Sequence, residues 1–325
     1  MQYSFATLLD KVNAHIESLD YAHEPMNLYE PVKYILSLGG KRIRPAMMLM
    51  AYNMYRDDVE RILDPALALE IYHNFTLLHD DLMDHADVRR GKPTVHKRWD
   101  ANTAILSGDV MLSLADVYMS HVDDDCYREV MSTFHKTSIE IAEGQQYDMD
   151  FETRSDVSET EYIEMIRLKT SVLLACALKI GAVLGGASKE DAAHLYRLGE
   201  CIGLAFQLRD DYLDVYGDPK VFGKKIGGDI LCNKKTYLYI NALRLADKEQ
   251  RAVLDYWASA TDIDPEAKIA AVTDVYNKVG LPEMSRAIEE HYYGLAKAEL
   301  ELLSVPEEQK VVLRQFMAML MQRDV

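Results

Sequence analysis

The sequence predicts an all-α fold, a single large bundle of about ten or more helices packed around a central cavity. Three observations predict it. No proline occurs between Pro93 and Pro219 and the glycines there are few, so little interrupts a series of long helices. Apolar residues recur at helical spacing through 66–83, 104–120, 129–147, 160–184 and 191–216. Strand-like alternation is scarce along the whole chain.

Taken in order, the N-terminal segment MQYSFATLLDKVNAHIESLDY has acidic residues and no basic start before an apolar stretch. It reads as an amphipathic helix and not as a signal peptide. Helix starts are marked by Asp64-Pro65 before ALALEIY and by Ser188 before KEDAAHLY. Ser304-Val305-Pro306-Glu307 has capping-box spacing with a proline in the first turn, ahead of a last amphipathic helix. The most apolar run, residues 172–187, is interrupted by Lys179 and is too short for a clean bilayer span, so no stable membrane insertion is expected. No linker, low-complexity segment or short repeat divides the chain, which predicts one domain over 1–325.

The 325 residues, 49% of them hydrophobic, suffice for a large core. A net charge of −17 with no extended basic stripe excludes nucleic acid as a partner. The same charge repels an anionic substrate, so any such substrate needs local Lys/Arg clusters and metal ions to draw it in. Cys126, Cys176, Cys201 and Cys232 are far apart and form no CxxC pair. They read as reduced thiols of a cytoplasmic protein, not as a disulfide scaffold or a zinc site.

One acidic pattern occurs twice. Asp80-Asp81-Leu82-Met83-Asp84 closes the run LALEIYHNFTLLH, and Asp210-Asp211-Tyr212-Leu213-Asp214 closes GECIGLAFQLR. In a helix the outer aspartates are i and i+4, on one face and a turn apart. Carboxylates grouped at the end of a mostly buried helix repel one another and are costly to desolvate, so a chain that does this twice has cations to place there. Carboxylate oxygen suits Mg²⁺, which binds through one or two carboxylates plus substrate phosphates. Facing clusters form a receptacle for a diphosphate.

Basic motifs accompany both. Gly39-Gly40-Lys41-Arg42-Ile43-Arg44-Pro45 sets three cations behind two glycines, which suits close approach to a phosphate. Arg89-Arg90-Gly91 follows the first cluster, and its adjacent arginines suit two different anions. The second cluster is followed by Gly223-Lys224-Lys225-Ile226-Gly227-Gly228-Asp229 and then Asn233-Lys234-Lys235. His73 and His79 lie six apart and match no zinc-ligand spacing.

The GGKRxRP, DDxxD…RRG and QxxDDxxD…GK…D blocks, in that order from about residue 30 to residue 240, closely resemble the trans-isoprenyl diphosphate synthases. This family includes the farnesyl and geranylgeranyl diphosphate synthases. The resemblance implies the isoprenoid synthase type I fold and a homodimer. It implies a reaction in which an allylic diphosphate ionises, the cation is attacked by the double bond of isopentenyl diphosphate, and a proton is lost. By that resemblance Asp80 and Asp84 bind two Mg²⁺ and Asp210 a third, with Asp81 and Asp214 orienting ligands or metal-bound water. Arg89, Lys169, Lys224 and Lys234 then hold the allylic diphosphate; Lys41, Arg44, His73 and Arg90 hold isopentenyl diphosphate. Thr170 and Gln207 line the cation. Tyr162 and Ile163 read as core.

Product length follows the wall of the helix before the first cluster, as in the family. Phe75 lies roughly 7.5 Å along the axis from Asp80, and Tyr72 roughly 12 Å, so either ring can serve as a floor. Thr76 is small where animal farnesyl synthases pair aromatics, and the first cluster lacks a two-residue insertion. This combination resembles geranylgeranyl synthases of the archaeal type, which implies a C20 product. The bulk of Tyr72 keeps C15 open. Two alternatives share the fold: a class I terpene cyclase, which lacks the second DDxxD, and a non-catalytic regulatory subunit, which loses aspartates.

Overall fold

A computed structural model describes residues 2–20, 23–218, 226–261 and 263–322. Its helices are α1 Phe5–Glu17, α2 Met26–Ser37, α3 Ile43–Asn53, α4 Leu63–Met83, α5 Val95–Arg98 and α6 Ala101–Met119. There follow α7 Asp124–Thr153, α8 Glu159–Ile166, α9 Val172–Gly185, α10 Lys189–Tyr216 and α11 Gly228–Leu231. The last are α12 Tyr237–Leu245, α13 Lys248–Ser259, α14 Pro265–Lys278, α15 Leu281–Glu301 and α16 Glu307–Met321. The only strands among the described residues form a hairpin, β1 Val88–Arg89 with β2 Lys92–Pro93. The all-α expectation holds, and each of the five periodic runs lies within helix. The run 160–184 is two helices joined through a π-helical turn, Arg167–Ser171.

By compactness the chain divides into two units. The first comprises Met1–His135, Cys176–Ala193 and Ser304–Leu313; the second comprises Lys136–Ala175, His194–Leu303 and Arg314–Val325. In the first unit α3 is buried at every residue from Pro45 to Asn53, because Pro-Ala-Met-Met-Leu-Met-Ala-Tyr-Asn leaves it almost no polar face. Helix α4 buries Leu67, Leu69, Ile71, Tyr72 and Leu78, and α6 packs against it with Ala104, Met111, Ala115 and Met119. Each large side chain so buried contributes about 1.5–3 kcal/mol. In the second unit Phe151, Tyr162, Ile166, Leu204, Leu208, Tyr237 and Ile240 form a core that ties α7, α8, α10 and α12 together. A neighbouring core joins Val215 and Ile230 to Leu238, Val272 and Tyr276.

Two helix starts differ from expectation. Asp64 does not cap α4; Ile62 is at that position, and the Asp64 carboxylate is held by His15 and His121 at 2.8 Å each. Ser304 does not cap the last helix, which begins at Glu307. Its N–H and hydroxyl instead donate to Asp191, at 2.9 and 2.6 Å, because that buried carboxylate needs donors. Ser188 caps α10 as expected, accepting from the Asp191 N–H at 3.0 Å. The apolar run is longer than it reads in sequence: Glu159–Gly185 is long and apolar enough to cross a membrane, but 72% of its most apolar window is buried inside the protein.

Candidate active site

Helix α4 ends on its acidic cluster through a hydrogen-bonded stop. The His85 N–H donates to Leu82 O and the Ala86 N–H to Asp81 O, with His85 in the left-handed region at φ 53°. This is a Schellman motif in which histidine takes the position usually given to glycine. Asp80 and Asp84 are thus a turn apart at a helix C-terminus, where the macrodipole makes negative charge least welcome. Asp84 is exposed and Asp80 partly so, whereas Asp81 is buried. Both Asp81 oxygens accept from Arg89, each at 2.7 Å, a bidentate fork.

The hairpin explains why adjacent arginines part company. Its two-residue turn is Arg90-Gly91, with φ of 51° and 75°, the positive pair that a type I′ turn requires. Arg89 lies on the strand and reaches Asp81. Arg90 lies on the turn and donates to Gly39 O, its guanidinium crossing Gly40 where a Cβ would meet it at 2.8 Å. Gly40 has φ +142°, so its lack of a side chain serves both the turn and the packing.

Beneath that loop, Arg42 is locked in place. It donates to Glu70 at 2.5 Å and to Leu36 O at 2.7 Å, and Asn74 adds a bond to Glu70 at 2.9 Å. Arg44, in the first turn of α3, has a buried Nε with no hydrogen-bond partner. Burial lowers its guanidinium to about 10, with Glu70 opposing the shift and Arg90 adding to it. His73 is held well below its ordinary value by burial and then by the charges of Arg44, Arg90, Arg89 and Arg42. A neutral imidazole among arginines, one of them with an unanswered N–H, is a cradle for an anion. Lys41, exposed, stands at its edge.

Along α4, Phe75 stacks edge-on with Tyr72 at 5.5 Å and with His79 at 4.9 Å. Tyr72 is buried against Phe134 at 5.4 Å, whereas Phe75 is only partly buried. The Thr76 hydroxyl donates to His73 O.

In the second unit the corresponding residues gather around the π turn. Lys169 and Thr170 are carried on it, and two glycines make room for it. A Cβ on Gly144 of α7 would lie 2.4 Å from the Lys169 nitrogen, and one on Gly203 of α10 would lie 2.6 Å from the Ser171 Cα. Such turns recur at functional sites because they re-aim side chains within a helix. Lys169 donates to Asp148 at 2.6 Å. Burial pushes the Asp148 carboxyl up, but Lys234 and Lys169 outweigh it and hold it below its ordinary value.

Asp210 and Asp214 are again a turn apart near a helix C-terminus. Between them, buried Asp211 accepts from the Tyr162 hydroxyl and, at 3.1 Å, from the Gln207 amide, while Gln207 accepts from the Thr170 hydroxyl at 3.2 Å. Burial and then Asp229 push the Asp211 carboxyl up to about 7, against Tyr162, Lys234 and Gln207. Asp214 accepts from the Asp229 N–H at 3.0 Å, pinning the glycine turn to α10. The backbone N–H of Lys234 donates to Asp229 O, beside Asn233 at φ 53°. Lys224 lies outside the described residues.

Each unit therefore carries its share of the expected residues: Lys41, Arg44, His73, Asp80, Asp81, Asp84, Arg89 and Arg90 in the first, and Lys169, Thr170, Gln207, Asp210, Asp214 and Lys234 in the second. Three residues were missed, among them Asp211, the buried acceptor of Tyr162 and Gln207. Asp148 holds a lysine, and the available signal was its position four after Gly144, on the same helix face. Tyr162 packs its ring in the core as expected but spends its hydroxyl on Asp211. Among the described residues no three His, Cys, Asp or Glu side chains form a metal cage by themselves. Mg²⁺ does not require one, since one or two carboxylates and substrate phosphates suffice.

Comparison with known proteins covers the same ground. Geranylgeranyl diphosphate synthase of Methanosarcina mazei is 43% identical over 267 residues, 81% of each chain. Geranylfarnesyl diphosphate synthase of Natronomonas pharaonis is 34% identical over 319 residues, 93% of this chain and 92% of that one. A crystal structure of a geranylgeranyl pyrophosphate synthase matches with a TM-score of 0.94 at 43% identity, covering all of both chains. Residues 25–276 match the polyprenyl synthetase family, and the chain belongs to that family of prenyl-transferring enzymes.

Proposed function

We propose that the protein is a short-chain trans-prenyltransferase that condenses isopentenyl diphosphate with allylic diphosphates to give geranylgeranyl diphosphate, C20. The family carries out this condensation and is generally Mg²⁺-dependent. The observation that carries the reading is the pair of acidic helix ends. Each puts two carboxylates a turn apart where a helix dipole opposes them, a cost that bound cations offset. In this reading Asp80 and Asp84 hold two Mg²⁺ and Asp210 a third. In the same reading 1–325 acts as one synthase domain. When bound, the metal neutralises charge on the departing diphosphate. Lys169, Lys234, Lys224 and Arg89 grip that diphosphate from the protein side, with Asp148 steadying Lys169. Arg44, His73, Arg90 and Lys41 bind isopentenyl diphosphate, for which the unanswered Arg44 N–H and the arginine-ringed imidazole are suited. Thr170 and Gln207 face the cation, and dry surroundings keep it from water.

Phe75, with Tyr72 behind it, sets the floor for C20, and Phe75→Ala is expected to yield longer products by mass spectrometry. C15 remains the alternative product. A terpene cyclase or a silent regulatory subunit fits less well, because every aspartate of both clusters is present. A homodimer is proposed from the family; on α6, Ile105, Leu106 and Val117 are exposed and supply apolar surface for a second copy. Light scattering tests this, with Leu106→Glu expected to shift the mass toward monomer. Four free thiols suit a cytoplasmic protein.

The test is incubation of the protein with Mg²⁺, isopentenyl diphosphate and each of the C5, C10 and C15 allylic diphosphates, with products identified by mass spectrometry. A linear C20 diphosphate is expected. Folded protein that condenses no primer overturns the proposal.

A further inference from the structure

We propose that Tyr162 is a positioning residue for the condensation: through Asp211 and Gln207 it orients Thr170 so that the hydroxyl presents its oxygen, not its proton, to the allylic cation. This rests on the function proposed above.

The relay follows from counting donors and acceptors. Tyr162 is 1% exposed, and its hydroxyl donates to one oxygen of Asp211; the Gln207 amide donates to the other at 3.1 Å. With both Asp211 oxygens accepting, one from Tyr162 and one from Gln207, the Gln207 side chain turns its NH₂ toward Asp211 and its carbonyl away. That carbonyl takes the one proton Thr170 has, at 3.2 Å, and leaves the Thr170 oxygen with lone pairs alone. A lone-pair face attracts developing positive charge, whereas an O–H pointed the same way repels it. The π turn holds the Thr170 backbone, packed between Gly144 and Gly203, so orientation is decided mainly at the side chain. Every member of the relay lies in the second unit.

Remove the tyrosine hydroxyl and Asp211 keeps one donor of two while still buried. A buried carboxylate oxygen left without a donor turns to find another. Held then by Gln207 alone, the Asp211 side chain is free to rotate off it, and with that acceptor no longer fixed in place Gln207 and Thr170 regain the freedom to reorient. Asp211→Asn arrives at the same end by another route. Its amide offers Gln207 an NH₂ as readily as an oxygen, so Gln207 is no longer held in one orientation and Thr170 can meet a donor in place of an acceptor.

Steady-state kinetics of wild type, Tyr162→Phe, Thr170→Val, the double variant and Asp211→Asn test the relay, below the melting temperature of each. Tyr162→Phe is expected to lower kcat about tenfold or more while KM for both diphosphates stays within about twofold. The double variant is expected to be no slower than Thr170→Val alone, because one relay is broken once. Asp211→Asn is expected to repeat the kcat loss, and it carries the test if Tyr162→Phe does not fold. A wild-type kcat in Tyr162→Phe, or losses that multiply in the double variant, overturns the relay while the synthase assignment stands. Absence of condensation by the wild type overturns the assignment instead.

Discussion

The end of α4 and the end of α10 carry the same five-residue acidic pattern and neutralise it differently. In both, the outer aspartates are a turn apart and the middle one turns inward. At α4 the middle carboxylate, Asp81, is met by a cation, the Arg89 fork. At α10 the middle carboxylate, Asp211, is met by neutral donors, Tyr162 and Gln207, and its carboxyl is raised to about 7 by burial and by Asp229. The pattern therefore encodes two jobs. In the proposed function Asp80, Asp84 and Asp210 are offered to a ligand, while the middle residue organises its own wall, ionically at one end and by hydrogen bonds at the other.

If that division holds, substitutions at outer and middle positions fail in different ways. Asp80→Asn and Asp210→Asn are expected to cut turnover by about 10²-fold or more with little loss of melting temperature, as a carboxylate proposed to hold Mg²⁺ is removed without opening the core. Near-normal turnover in both breaks the comparison. Arg89→Ala acts on the scaffold: it strands a buried carboxylate, and denaturant unfolding should show a loss of about 3 kcal/mol. Arg89→Ala melting like wild type means that the fork contributes no stability.

The basic cradle of the first unit gives a pH signature. His73 has a folded value well below the ordinary 6.5, so below that pH the unfolded chain takes a proton that the folded chain refuses. Stability from this group is complete above about 6.5 and falls as pH drops toward the folded value. An anion in the cradle supplies the missing counter-charge. Inorganic pyrophosphate should raise the His73 midpoint, read by NMR of the imidazole, and an unmoved midpoint places the anion elsewhere. The smallest effect is expected at Asp84, exposed at the C-terminus of α4. Asp84→Asn removes a charge that the helix dipole opposes and should stabilise by about 0.3–1 kcal/mol in chemical denaturation, at a cost in activity.

The helices that carry the clusters were legible because α4 and α10 repeat their apolar residues at helical spacing up to the acids, and that spacing put the outer aspartates on one face. The arginines were legible as a motif whose two members suit different anions, but the device that parts them was not, because it depends on Arg90 taking a positive φ in a two-residue turn. The π turn was invisible: Arg-Leu-Lys-Thr-Ser has no composition that marks it, and the turn is a compromise with two helices that touch it at Gly144 and Gly203. Asp148 hid among the other acids of α7, and Tyr162 hid because a core ring and a core ring with a working hydroxyl share one periodicity. Ser304 misled for the opposite reason. Its local capping pattern lost to a buried carboxylate far away in sequence, which a local reading does not weigh.

The division between outer and middle aspartates is tested most directly by calorimetric titration of inorganic pyrophosphate, with and without Mg²⁺, into Asp80→Asn, Asp84→Asn and Asp81→Asn alongside wild type, each with its melting temperature. The account predicts that the outer variants lose Mg²⁺-dependent binding by about tenfold or more while melting as high as wild type, and that Asp81→Asn melts lower but retains more of the binding. Binding that survives in both outer variants and vanishes in Asp81→Asn, with its melting temperature unchanged, contradicts it.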